Sequence, residues 1–152
     1  MAEGNFKHLT AGGFIFLHGS RETDYPGISG TGREIMDGLG PFIKEQGVKI
    51  AGACVWAYEH LGGGKVLLRA GFPIEAGPEP RDGFFVTREG EWKCVSTEYA
   101  GAMDGIAAAW DRFIGSVKAA GLKPLNINRE IYRKWIAMDS PDNLTELQVQ
   151  IE

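Results

Sequence analysis

The chain repeats itself at long range. Gly47 and Gly121 each close an apolar-striped segment, and they stand 74 residues apart. The same shift lays Tyr58 on Tyr132 and Trp56 on Glu130. Each half reads strand, glycine-containing entry, helix, glycine, strand, turn, strand. One helix and three strands bury little surface alone, so a unit of this kind needs a second beside it. The expected fold is therefore α+β. Duplicated strand-helix-strand-strand units form one antiparallel sheet with two helices on it and a cleft between the halves. The whole chain, 1–152, reads as a single domain with pseudo-repeats at about 13–75 and 84–152. A groove between two like units is a natural place for a ligand.

Local pattern fills in the elements. The apolar run Phe14–Leu17 predicts a strand over 13–18, and the glycines and proline of 19–32 predict a loop. Thr31 with Glu34 has capping-box spacing, so a helix is expected over 32–46, with a kink or break at Pro41 and Gly47 as its C′ residue. Period-two alternation predicts a strand over 49–58, a turn at Gly62-Gly63-Gly64 and a partner strand over 65–74. Residues 75–83, with two prolines and two glycines, read as a linker or surface loop. A strand over 84–98 is broken at Glu89-Gly90. Met103, Ile106, Ala107, Trp110, Phe113, Ile114 and Val117 form the apolar stripe of an amphipathic helix. Strands over 126–136 and 144–151 close the chain.

Composition excludes several functions. Sixteen Lys and Arg against 20 Asp and Glu give a net charge of −4, without the clustered basic surface that phosphate neutralisation needs. No nucleic-acid partner is expected. No apolar span reaches the roughly 18 residues of a membrane helix, and no signal peptide is read, so a cytoplasmic location is expected. Cys54 and Cys94 stand alone and read as small buried hydrophobes. His8, His18 and His60 show no metal-ligand spacing, and neither a P-loop nor a nucleophile elbow is present. Neither metal nor cofactor is expected.

Aromatic residues make up 11% of the chain, and one carboxylate lies among them. Alternation over 126–136 puts Asn128, Glu130, Tyr132 and Lys134 on one face and Ile127, Arg129, Ile131 and Trp135 on the other. By the repeat, Trp56 and Tyr58 occupy the face equivalent to that of Glu130. A carboxylate among Trp and Tyr side chains can hold a lipophilic cation or act as a general acid or base. The alternative is an exposed strand face on which Glu130 pairs with Arg129, Arg133 or Lys134.

The segment Arg129-Glu130-Ile131-Tyr132, following a helix that ends Ala119-Ala120-Gly121-Leu122-Lys123-Pro124, resembles the C-terminal signature of the GyrI-like small-molecule-binding domains. The glycine-then-helix step at 99–110 and the closing strand at 143–151 resemble the same family. That domain serves as the effector-binding part of multidrug-responsive regulators of the AraC and MerR types, and it also occurs alone. The resemblance runs from about Phe14 to Ile151 and is most specific over 99–151. It implies a ligand cleft with Glu130 in it and Tyr132 completing an E-x-Y pattern, with Trp56, Tyr58 and Trp110 as aromatic candidates. The helical stripe assigns Trp110 to core packing as well. The chain begins about a dozen residues before its first expected strand, so no helix-turn-helix part is expected.

Three candidate functions emerge. The first is a stand-alone binding protein for lipophilic, aromatic, cationic xenobiotics, monomeric or dimeric. The second is a cofactor-free hydrolase of strained cyclopropyl-containing aromatic drugs, with Glu130 as the catalytic residue. The third is a protein-interaction inhibitor of a topoisomerase-like partner.

Overall fold

Alternating apolar residues fold into antiparallel pairs, and the two striped segments fold into helices. The computed structural model describes residues 6–77 and 83–152. The strands are β1 (Lys7–Ala11), β2 (Phe14–Asp24), β3 (Val55–Gly62), β4 (Lys65–Ile74), β5 (Phe84–Glu89), β6 (Trp92–Ala100), β7 (Pro124–Lys134) and β8 (Leu144–Ile151). Helix α1 (Ile28–Gln46) lies between β2 and β3, and α2 (Ile106–Ala119) between β6 and β7. This is an α+β fold of antiparallel strands. The chain divides into two compact units, Gly12–Gly90 and 6–11 with Glu91–Glu152.

In the N-terminal unit the strand order is β5-β2-β4-β3. Helix α1 seats Ile35 against Tyr58, Val66, Leu68 and Ala70, and Leu39 and Phe42 against Leu17 and Ile74. In the C-terminal unit the order is β1-β6-β8-β7. There Ala109, Phe113 and Val117 of α2, one helical turn apart, close over Val95, Leu147, Val149 and Ile151. Strand β1 thus pairs with β6 as β5 pairs with β2. No helix of the described residues is long and apolar enough to cross a membrane.

Several expected boundaries move. Residues 20–24 continue β2 and pair with 65–69 of β4, because a long partner strand satisfies their backbone groups. The expected loop over 19–32 is therefore strand, then a 3₁₀ turn (Tyr25–Gly27), then helix from Ile28. The Asp24 carboxylate accepts from Gly27 N at 2.8 Å, so Asp24 and not Thr31 caps this corner. Glu34 pairs instead with Arg21 across solvent. Helix α1 runs through Pro41 without a break. Pro41 and Asp37, whose carbonyl loses its helical partner, both face water, which supplies the missing donor. Gly47 ends the helix at φ 62°, a left-handed conformation that costs glycine nothing. Strand β3 starts at Val55, and the stretch before it makes a single bridge, Ile50 to Ile74. Of the loop expected over 75–83, residues 78–82 lie outside the described residues.

Candidate ligand-binding site

The site is built on β7 and α2. Glu130 stands opposite Leu147 and Tyr132 opposite Thr145 on β8. Leu147 packs against α2, so the β7 face that carries Glu130 lies under that helix. Alternation over β7 predicts one wet face, yet Asn128, Arg129, Glu130 and Ile131 are buried in succession. Glu130 is only 4% exposed.

Its two carboxylate oxygens have different partners. The Trp110 indole Nε1 donates to Oε2 at 2.6 Å, and the Tyr132 hydroxyl donates to Oε1 at 2.5 Å. Trp110 reaches down from α2, next in sequence to the core residue Ala109, with its ring 5.9 Å from that of Phe113. Both donors are neutral. Together they fix the plane of the carboxylate. A negative charge held away from bulk water attracts a cation more strongly than one at the surface. Aromatic faces beside it add cation–π attraction of about 0.5–2 kcal/mol per ring.

Two of the basic residues considered as partners for Glu130 make other contacts. Arg133 donates to Glu146 from Nε at 3.0 Å and from a terminal nitrogen at 2.6 Å. Ser96 and Gln148 also donate to Glu146, at 2.7 and 2.9 Å. Burial alone would raise the Glu146 pKa, but these hydrogen bonds and the Arg133 charge hold it below the usual carboxylate range. The Arg129 guanidinium lies over the Trp92 ring, 3.8 Å from its centroid.

In the N-terminal unit Trp56 and Tyr58 lie on the β3 face that α1 covers. Tyr58 is buried in the core with Ile35 and Leu68. The Trp56 ring abuts Gly32 of α1: a Cβ there would sit 2.1 Å from its Cη2. On the other face His18 is buried between the rings of Phe16 and Phe85, at 4.6 and 5.6 Å. Its Nδ1 donates to the Gly19 carbonyl at 3.2 Å. Burial lowers its pKa to about 4, partly offset by the Gly19 carbonyl, with the nearby Arg69 charge acting in the same direction as burial. Arg69 forms a two-pronged bridge with Glu89, both contacts at 3.1 Å.

Of the five candidate residues, the C-terminal unit brings Glu130, Tyr132 and Trp110 into one hydrogen-bonded group. Trp56 and Tyr58 belong to the N-terminal unit. Sequence reasoning missed the Glu146 cluster and the Arg129–Trp92 stack. Their one available signal was β8 alternation, which puts Glu146, Gln148 and Gln150 on a single face. No group of three or more His, Cys, Asp or Glu among the described residues could hold a metal. Burial raises the Cys54 pKa to about 12, which keeps that thiol protonated.

An α+β sheet-and-helix unit with a buried carboxylate under its helix invites comparison with solved structures. SAV2435 bound to tetraphenylphosphonium superposes with a TM-score of 0.75 at 10% identity, over 97% of this chain and 93% of that one. The EcmrR C-terminal domain superposes at 0.72 with 16% identity, over 97% and 96%. A hydrolase encoded by lin2189 from Listeria innocua superposes at 0.63 with 10% identity, over 97% and 92%. At such identities the likeness is one of fold. No protein-family model and no curated protein sequence matches the chain.

Proposed function

We propose that the chain is a cytoplasmic small-molecule-binding protein of the GyrI-like type, and that its ligands are lipophilic aromatic cations. One observation carries this reading. Glu130 is a buried carboxylate whose two oxygens are held by Trp110 and Tyr132, so charge and aromatic surface occur together. A cation entering there exchanges hydration for a carboxylate and ring faces, a trade that favours charge spread over a large apolar body. The fold shared with a tetraphenylphosphonium-bound protein and with the EcmrR C-terminal domain supports the same reading.

A thermal-shift screen of wild type and Glu130→Gln against lipophilic dyes, quaternary amines and neutral polyaromatic drugs tests it. A ligand at 100 times its dissociation constant adds about 2.7 kcal/mol of stability. The proposal expects cations to stabilise the wild type and not the variant. It fails if no cation in the panel stabilises the wild type.

A second reading has support from the hydrolase of the same fold. In it Glu130 takes a proton from water as the water oxygen bonds to a ring carbon, the strained C–C bond breaks, its electron pair passes to a conjugated carbonyl of the drug, and that oxygen takes the proton back from Glu130, while the aromatic side chains hold the drug. Incubating a cyclopropyl-containing aromatic drug with the protein and following ring-opened product by mass spectrometry separates the readings. Under this second reading Glu130→Gln abolishes product while leaving binding of the neutral drug intact.

A further inference from the structure

Strand β7 ends in an irregularity that redirects one aromatic side chain. Tyr132 pairs with Thr145 and Lys134 with Leu144, so two steps along β7 match one along β8. A bulge of this kind breaks the alternation and re-aims the side chains beyond it. Simple alternation sends Trp135 to the face opposite Tyr132. Instead the two rings meet edge to face, with centroids 5.7 Å apart. Trp135 is thereby joined through the Tyr132 ring and hydroxyl to Glu130.

The loop after β7 is firmly held. Asn143, fully buried, accepts from Ile136 N at 2.8 Å and donates to the Ala137 carbonyl at 2.7 Å. The Met138 carbonyl accepts from Met103 N at 2.9 Å, tying the loop to the turn that enters α2. Yet this fastened loop leaves Trp135, Ile136 and Met138 at 47%, 53% and 46% exposure. Single exposed apolar side chains need no explanation. Three within four consecutive positions, on a backbone with no freedom to tuck them in, form a standing apolar surface.

We infer that Trp135, Ile136 and Met138 form an outward apolar subsite continuous with Glu130, and that the ligand class is the amphiphilic cation. The inference rests on Glu130 being the ligand's charge partner, as proposed above. The charged head would lie at Glu130, and the apolar limb would run past Tyr132 onto Trp135 and its two neighbours. A compact cation would use the inner part alone. A neutral apolar compound would use only the outer part.

Calorimetric titration with N-alkylpyridinium ions carrying ethyl, butyl, hexyl and octyl chains tests this, because slope and intercept report different residues. In the wild type, affinity is expected to rise about fourfold for each methylene buried. Trp135→Ser, alone and combined with Ile136→Ser and Met138→Ser, should flatten that rise to about twofold or less while leaving the ethyl compound's affinity unchanged. Because all three side chains are about half exposed, the single variant keeps the test open if the triple one fails to fold. Glu130→Gln should weaken every member of the series by about tenfold with the slope retained. A chain-length slope in Trp135→Ser and the triple variant equal to the wild type's overturns the subsite and leaves the role of Glu130 standing. Failure of every member to bind the wild type overturns both.

Discussion

The two units solve the same packing problem with exchanged residues. Helix α1 begins at Ile28 and α2 at Ile106, a shift of 78, which sets Gly32 against Trp110. On the strand beneath, the shift of 74 sets Trp56 against Glu130. In the N-terminal unit the helix supplies no side chain at this point and the strand supplies an indole that fills the gap. In the C-terminal unit the helix supplies the indole and the strand a carboxylate bonded to it. One Trp occupies the helix–strand gap in each case. Only when the indole comes from the helix does the strand position become available for a charged group. One unit thus uses the position for packing alone, and the other places a hydrogen-bonded carboxylate there.

The largest effects should appear on the packing side. Trp56→Ala removes the ring that Gly32 accommodates and is expected to cost about 3 kcal/mol of stability by chemical denaturation. Gly32→Ala forces a Cβ into that ring, with an expected cost of about 2–3 kcal/mol. The two should couple: in a Trp56→Ala background, Gly32→Ala should cost far less. Additive losses would break the comparison, because the helix glycine would then not exist to seat the strand indole.

The two units also differ in their response to acid. His18 has a folded pKa of about 4 against 6.5 when free, so the unfolded chain binds the extra proton. Its contribution is full above about pH 6.5 and is lost as pH falls toward 4, by up to about 3 kcal/mol. Glu146, with a folded pKa held below 4.5, contributes above that value and loses its contribution only as pH falls further. Hydrogen exchange between pH 7 and 4 should therefore show protection falling in β2 and β5 before β6 and β8. His18→Gln should remove that early fall. Simultaneous loss in both units, or no change in His18→Gln, would contradict this assignment.

Smaller effects are expected around Glu130. Trp110→Phe keeps a ring in the gap but deletes the indole donor to a charged acceptor, at an expected cost of about 1.5–3 kcal/mol in stability. Tyr132→Phe should cost about the same, since it too deletes a donor to that acceptor. Rebinding of a cation to either variant, measured by calorimetry, reports whether the carboxylate still holds its orientation.

The sequence made some of this legible and hid the rest for physical reasons. Strands β4 and β8 fall at the expected residues, because a glycine turn fixes the first and strict alternation the second. Helix α2 was readable from its stripe, although its first turn is 3₁₀. Strand β1 was not read at all, since Lys7–Ala11 carries little apolar alternation and is strand only by pairing with β6. The start of α1 was misplaced because glycine and serine at 27–32 carry loop chemistry that a long β4 partner and the Asp24 cap override. At the site, Glu130 and Tyr132 stand two residues apart on one strand, a spacing that alternation exposes. The bond from Trp110 is invisible in a helical stripe, which looks the same whether an indole is packed or donating. The re-aimed Trp135 depends on a bulge that no periodicity announces.

The central claim is that Glu130 gives the C-terminal unit charge selectivity. Isothermal titration of tetraphenylphosphonium and of a neutral aromatic drug into wild type and Glu130→Gln tests it most directly. The account predicts that the variant binds the cation at least about tenfold more weakly, a change of about 1.4 kcal/mol, while the neutral drug binds both proteins alike. Equal loss for both ligands, or no loss for either, would contradict it.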